Sequence, residues 1–141
     1  MPFFFFFLIK TPQEKWKESI LKYRKQCQQI LKTSTSIRYV GVINQYGRTL
    51  TGMIKPGVKP LWASEQIKNE LFIISSLMTL RKSHTKPVGE LDYIVLKHPK
   101  VTIIAFQRKN LTYYLSVDGK AKSNEKIISS IKKIIYAGVN P

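Results

Sequence analysis

The stretch LDYIVLKHPKVTIIAFQRKNLTYYLSV, residues 91–117, decides the fold of this chain. Three runs rich in β-branched and aromatic residues are separated by short turn signals: 91–98, Pro99-Lys100, 101–108, Lys109-Asn110 and 111–117. Such runs favour strands, and tight connections join antiparallel neighbours. The stretch therefore predicts a three-stranded antiparallel meander, which Asp118-Gly119 ends.

Two further strands are predicted upstream of the meander. Residues 37–44 (IRYVGVIN) and 48–54 flank the turn signal Asn44-Gln45-Tyr46-Gly47, which indicates a hairpin. Gly41 and Gly52 lie inside these strands and permit a bulge or the close packing of another element.

The first and last helices have amphipathic patterns. Thr11-Pro12-Gln13-Glu14 is a capping-box sequence with proline at the first helical position, and the helix that follows ends near Lys32. Apolar residues recur at helical spacing along it: Trp16, Ile20, Tyr23, Cys27, Ile30 and Leu31. In the last helix Ser123 is a candidate cap, Gly138 and Pro141 mark the end, and one apolar face is predicted: Ile127, Ile128, Ile131, Ile134 and Ile135.

A second helix, residues 65–82 with Ser64 as its cap, has two apolar stripes about 100° apart. The first comprises Ile67, Leu71, Ile74 and Met78, and the second comprises Ile73, Leu77 and Leu80, with Phe72 as a further apolar position. A helix on the surface of a monomer needs one buried stripe, so the second needs its own covering. The helix is either wedged between elements of its own domain or in contact with a symmetry mate. We favour the dimer, with Ile73, Leu77 and Leu80 at its interface.

The predicted order is helix, strand, strand, helix, strand, strand, strand, helix, an α+β fold with one five-stranded antiparallel sheet. This order of elements resembles that of the roadblock/dynein light-chain family. The sequence of residues 37–44, followed by Tyr46-Gly47-Arg48, resembles that family's opening hairpin. The resemblance covers roughly residues 16–136. The hairpin and the stretch 55–61 (KPGVKPL) are also similar to small uncharacterised archaeal proteins. The topology also suits profilin-like and PAS-like domains.

The roadblock resemblance implies a homodimer or heterodimer, often built through the second helix and an edge strand. It also implies a scaffold role, commonly alongside small GTPases. Two features depart from typical members, the proline-rich loop 55–60 and the basic first helix, so no single partner is carried over.

The N-terminal stretch MPFFFFFLIK is set apart from the rest of the chain. We divide the chain into an apolar low-complexity leader, residues 1–10, and a roadblock-like domain, residues 11–137. The apolar run 3–9 is far shorter than the roughly 20 residues that a membrane-spanning helix needs. It is an over-extended or low-complexity start, a short strand or arm over an apolar patch, or a shallow membrane-touching anchor.

No chemistry-bearing motif stands out, so the sequence predicts no enzyme, no catalytic residue, no cofactor and no metal site. Phosphate-loop and dinucleotide-binding glycine motifs are missing from the sequence. His84 and His98 have no cysteine or histidine at ligand spacing, and Cys27 lies on an apolar stripe as a core residue. Glu90 and Asp92 are close in sequence but have no partner acid, base or metal site.

The net charge is the remaining unusual feature, at +16 from 24 Lys and Arg against 8 Asp and Glu. The candidate basic surface comprises Lys15, Lys17, Lys22, Arg24, Lys25, Arg81, Lys82 and Lys86. It suits an acidic protein, such as a small GTPase, or nucleic acid or another anionic surface, although dispersed lysines also serve solubility. A small-ligand sensor is a third alternative, which an apolar pocket with converging polar groups would favour. We expect a cytoplasmic location.

Overall fold

The five predicted strands form one antiparallel sheet in the order β2-β1-β5-β4-β3. The computed structural model describes residues 9–137. Its elements are α1 (Pro12–Thr33), β1 (Ile37–Ile43), β2 (Thr49–Ile54), α2 (Ser64–Arg81), a 3-10 turn (Lys82–His84), β3 (Tyr93–Lys97), β4 (Val101–Arg108), β5 (Leu111–Asp118) and α3 (Asn124–Ile135). This confirms the α+β class and the predicted element order.

The sheet is covered on both faces, and β4 shows how. Ile104 and Phe106 lie in a buried cluster with residues of α1 and α3, whereas Ile103 and Ala105 lie in a second cluster with residues of α2. Side chains alternate across a strand, so one strand supplies both cores. The molecule therefore has three layers, with α1 and α3 on one face of the sheet and α2 on the other.

The two strand glycines make room for an aromatic ring. Gly41 and Gly52 are paired directly across β1 and β2. A Cβ atom added at Gly41 would lie 2.5 Å from the Tyr39 hydroxyl oxygen, and one at Gly52 would meet the same oxygen. The hairpin thus uses its glycines for the close packing of Tyr39 rather than for a bulge at that point.

The helix N-termini agree with the sequence in part. The capping box of α1 is confirmed, since the Glu14 amide donates to Thr11 Oγ1 over 3.1 Å and the Thr11 amide donates to the Glu14 carboxylate. The prediction of Ser64 as the cap of α2 is wrong. Ala63 is the N-cap, and its amide donates to Gln66 Oε1 over 2.9 Å. Ser123 is the N-cap of α3, but its side chain makes no capping hydrogen bond.

The ends of the chain bear on two predictions. Residues 1–8 of the leader, and the helix-end signals Gly138 and Pro141, lie outside the described residues. Ile9 and Lys10 are exposed ahead of α1. Within residues 9–137, no helix combines the length and apolar character that crossing a bilayer requires.

Candidate interaction surface

One stripe of α2 faces the sheet, as predicted. Leu71, Ile74 and Met78 are buried in the cluster on this face, and Ile67 packs against it half-buried. Full burial of such a side chain stabilises a fold by about 1.5–3 kcal/mol. This stripe therefore anchors α2 to the sheet.

Polar contacts from the strands also hold α2. The Tyr114 hydroxyl on β5 donates to the Glu70 carboxylate over 2.9 Å, and Gln107 Nε2 on β4 donates to the Met78 carbonyl over 3.4 Å. At the end of the helix Lys82 Nζ donates to Asn110 Oδ1 over 2.9 Å and to the Lys109 carbonyl over 3.3 Å. These contacts are spread along the helix from Glu70 to Lys82 and fix which of its faces points away from the sheet.

The other apolar residues of α2 remain uncovered. We name Phe72, Ile73, Leu77 and Leu80 the outer stripe; all four side chains are exposed, Ile73 by 58% and Leu80 by 71%. The predicted interface residues Ile73, Leu77 and Leu80 thus lie on one helix face that no described part of this chain buries. Exposed apolar clusters of this kind mark interaction sites in soluble proteins. The outer stripe is therefore the leading candidate interaction surface.

Strand β3 adds an open backbone edge. It is the last strand of the sheet and pairs only with β4 among the described residues. Ile94 and Leu96 pack half-buried against the α2-side cluster. An edge strand presents unpaired amide and carbonyl groups that another chain can pair with.

The predicted basic surface separates into two patches. Lys15, Lys17, Lys22, Arg24 and Lys25 are all exposed on α1, whereas Arg81, Lys82 and Lys86 are exposed at and after the end of α2. Because α1 and α2 pack on opposite faces of the sheet, the structure does not bring the eight residues together. Lys22 and Lys25 line a shallow groove between α1 and α3, and the Lys82 ammonium is engaged by the turn between β4 and β5.

The predicted apolar stripe of α1 holds except at Trp16, since Ile20 and Tyr23 are half-buried. Cys27 and Ile30 are buried, but Trp16 is 56% exposed and Leu21, outside the stripe, is 57% exposed. The buried residues of α1 all lie in its second half, between Gln26 and Ile30. Trp16 is consequently a surface residue, and its chain neighbours Lys15 and Lys17 are exposed as well.

The titratable side chains differ widely in their surroundings. Cys27 is fully buried, and this burial raises the pKa of its thiol to about 12, far from the depressed value of a nucleophile. His84 and His98 are exposed, and residues 9–137 contain no group of three potential metal-ligating side chains. Asp92 forms an ion pair with Lys132 and accepts a hydrogen bond from the Tyr136 hydroxyl over 3.2 Å.

The sequence analysis names an apolar pocket as the mark of a small-ligand sensor but does not locate one, and the structure has a cavity on the α2 side of the sheet. It has a volume of about 510 Å³ and lies between the sheet, the first half of α2 and the loop 55–62. The only sequence signal for it is the breaker-rich loop 55–60, because the strand residues on its floor are far apart in the chain.

The structural comparisons agree with the architecture. The fold is similar to the gliding protein MglB from Thermus thermophilus, with a TM-score of 0.67 and 14% identity over 82% of this chain and 84% of that chain. A structure of MglB with a tetrameric arrangement gives 0.66 and 14% identity over 89% and 87% of the two chains. A roadblock/LC7 domain from Streptomyces avermitilis gives 0.60 and 9% identity over 78% and 88%.

No family model and no curated protein matches the sequence. The similarity to archaeal proteins stays a prediction. The likeness extends across most of this chain and of each solved structure, and the predicted roadblock resemblance is confirmed at the level of structure. The chain has the fold of roadblock/LC7 domains.

Proposed function

We propose that this chain is a non-catalytic dimeric interaction or scaffold module whose dimer interface is the outer stripe of α2. The observation that carries the proposal is the exposure of Phe72, Ile73, Leu77 and Leu80 on a helix that a different face already anchors to the sheet. A second copy of this chain is the partner that supplies a matching apolar surface, since a two-fold axis places the same patch on both sides of the contact.

Two further observations support a second copy. The free edge of β3 offers backbone pairing that an antiparallel β3 of a second copy can satisfy. The structural neighbour MglB, which shares this fold, has been solved in a tetrameric arrangement.

Residues 11–137 form the proposed domain, and we place it in the cytoplasm.

The dimer is tested with a matched pair of substitutions. Ile73→Glu places a carboxylate on the outer stripe. Leu21→Glu places one on α1, at a position that is equally exposed, since Leu21 is 57% and Ile73 58% exposed. Sedimentation equilibrium at tens of micromolar should give twice 16.3 kDa for the unmodified chain and for Leu21→Glu, and 16.3 kDa for Ile73→Glu. A monomeric unmodified chain, or identical masses for the two variants, would refute the interface.

A small GTPase or another acidic protein is the partner that we propose for the module. The basic residues Arg81 and Lys86 lie close in sequence to the outer stripe and give that end of α2 a positive charge. Capture from nuclease-treated native lysate should enrich small GTPases with the unmodified chain and not with Arg81→Glu/Lys86→Glu. Equal recovery of acidic proteins by both, or recovery of none, contradicts this assignment, and enrichment of an acidic protein other than a GTPase excludes the GTPase. Neither result affects the dimer test.

A second candidate function rests on α1. Trp16 is exposed on a helix that also carries the exposed Lys15 and Lys17, and an exposed aromatic ring on a basic helix suits single-stranded nucleic acid, through stacking and phosphate neutralisation. Trp16→Ala should then weaken binding to single-stranded DNA or RNA, and the affinity should fall steeply with salt. Absence of binding at low salt would exclude this function, and binding only to anionic vesicles would assign α1 to a membrane surface instead.

A further inference from the structure

The cavity on the α2 side of the sheet is large enough for a small molecule. Its volume of about 510 Å³ falls within the range of about 300–1,000 Å³ that ligand pockets occupy. Strands β1, β2, β4 and β5 contribute its floor, the first half of α2 one wall and the loop 55–62 another. The cavity uses the inner side of α2, so it is separate from the outer stripe.

The walls are predominantly apolar and aromatic. Side chains from five separate parts of the chain contribute to them: Tyr39, Ile54, Trp62, Ile67, Leu71 and Ile103. Tyr39 is held in place because it packs over Gly41 and Gly52 and makes an edge-to-face contact with Tyr114, at 6.2 Å between ring centroids. An apolar ligand body would gain the free energy of leaving water at these walls.

Basic side chains and hydroxyl groups supply the polar part of the cavity lining. Arg38, Lys59, His98 and Lys100 line it, and no acidic residue of the described chain does. Neither ion pair within residues 9–137 involves any of these four side chains. Arg38 is oriented by a 2.9 Å hydrogen bond from its Nη2 to the Lys59 carbonyl. The nearest acidic contact is one residue removed, since Tyr114 lines the cavity and donates to the Glu70 carboxylate, which does not line it. Basic side chains around an apolar space are complementary to a ligand anion.

We propose that this cavity binds a small amphipathic anion, a molecule with an apolar body and one acidic headgroup. The apolar body lies against Trp62, Ile67 and Leu71, and the headgroup meets the basic side chains. A neutral ligand of the same shape leaves the charge complementarity unused, and a cationic one is repelled by it. The charge pattern therefore selects the ligand class.

The probes are dodecanoate and dodecyltrimethylammonium, each below its critical micelle concentration, and 1-dodecanol below its solubility limit. Trp16→Phe leaves Trp62 as the only tryptophan of the chain, because the sequence contains two. Dodecanoate should shift the Trp62 emission with a stoichiometry of one and bind at least about tenfold more tightly than the other two, as expected for charge-assisted hydrogen bonds. Equal affinity for dodecanoate and 1-dodecanol, or no binding, would overturn the proposal.

Variants locate the binding. Lys59→Ala/Lys100→Ala should weaken dodecanoate binding by about tenfold and leave 1-dodecanol unchanged, as expected for the loss of charged hydrogen-bond donors. The matched control Lys22→Ala/Lys25→Ala removes the same charge from the groove between α1 and α3 and should have no effect. Ile67→Trp should block the cavity, so that calorimetry detects no binding of dodecanoate to this variant. If dodecanoate affinity falls equally in both lysine pairs, the site is a general surface effect and the proposal fails.

Because Ile67→Trp changes a packed helix, its circular dichroism and melting are measured first. If it does not fold, the two lysine pairs decide the question alone, since Lys59, Lys100, Lys22 and Lys25 are all exposed and their truncation leaves the core intact. A peptide can be made that copies a segment of a partner chain. If this peptide displaces dodecanoate at a lower concentration than any fatty acid does, the small-ligand assignment is overturned.

Discussion

The hydroxyl of Tyr114 in the middle of β5 donates a 2.9 Å hydrogen bond to the carboxylate of Glu70 in α2. Tyr114 is buried, and its ring packs in the same cluster as Leu71, Ile74 and Met78. One residue therefore contributes both apolar packing and a charge-assisted hydrogen bond to the seam between sheet and helix. This seam sets the rotation of α2, and with it the direction in which the outer stripe points.

Removal of that hydroxyl should weaken the seam. Tyr114→Phe leaves the ring but deprives the half-buried Glu70 of its donor, so we expect a loss of about 1–3 kcal/mol in the free energy of unfolding. Tyr46→Phe is the control, because Tyr46 is exposed. Urea denaturation of both variants measures the difference. If Tyr114→Phe is as stable as Tyr46→Phe, the hydrogen bond does not hold α2.

Alkaline pH should destabilise the protein through its buried acids. Burial raises the pKa of the Cys27 thiol from 9.0 to about 12, and burial, followed by the neighbouring Glu70 charge, raises the pKa of Tyr114. Burial also raises the pKa of Tyr113, whose hydroxyl donates to Gln26 Oε1 over 2.6 Å. These groups stay protonated in the folded state while they release protons in the unfolded state. Their contribution to stability is therefore complete below pH 9 and is lost as the pH rises above it.

The measurement is urea denaturation between pH 8 and 11. The free energy of unfolding should fall across this range, and Cys27→Ala should show a shallower fall from pH 9 upwards because one titrating group is removed. Linkage limits the contribution of one thiol to about 1.4 kcal/mol for each pH unit. A stability that is flat to pH 11, or an identical slope in Cys27→Ala, would contradict the burial of these groups.

Gly119 closes the end of the meander against the turn between β3 and β4. Its amide donates to the Lys100 carbonyl over 3.1 Å, and a Cβ atom added there would lie 2.8 Å from the Lys100 carbonyl carbon. Because the obstacle is backbone, Gly119→Ala requires a shift of the turn, at a cost of about 1–3 kcal/mol. Lys120→Ala, at the exposed neighbour, should be close to neutral. Thermal unfolding compares the two, and equal melting temperatures would show that the turn yields freely.

The sequence predicted most of the fold because the informative patterns are local. The bounds of β4, 101–108, agree with the structure, since turn signals flank a continuous apolar run. The two stripes of α2 were predicted from helical geometry, and the structure buries one and exposes the other. The prediction of Ser64 as the cap is wrong because the N-cap is Ala63, which has no polar side chain. The hydrogen bond at this helix end comes instead from Gln66, within the first turn, whose side chain accepts from the Ala63 amide.

The site was less predictable because it depends on tertiary placement. The sequence does not show that the basic residues of α1 and those of the segment 81–86 lie on different sides of the protein. That separation arises because α1 and α2 pack on opposite faces of the sheet. Trp16 follows the apolar period of α1 and is nevertheless exposed, since the buried part of α1 begins only near Gln26. The cavity joins Tyr39, Trp62 and Ile103, which no local pattern relates.

The dimer through the outer stripe is tested most directly by disulfide cross-linking. In a Cys27→Ala background, cysteine is placed singly at Ile73, Leu77, Leu80 and, as the exposed control on α1, Leu21. A two-fold contact between outer stripes brings equivalent residues of the two copies together near its axis, so at least one of the first three should oxidise to a species of twice 16.3 kDa. The Leu21 variant should remain monomeric on a denaturing gel. Cross-linking of all three α2 variants no faster than the Leu21 control would contradict the dimer through the outer stripe.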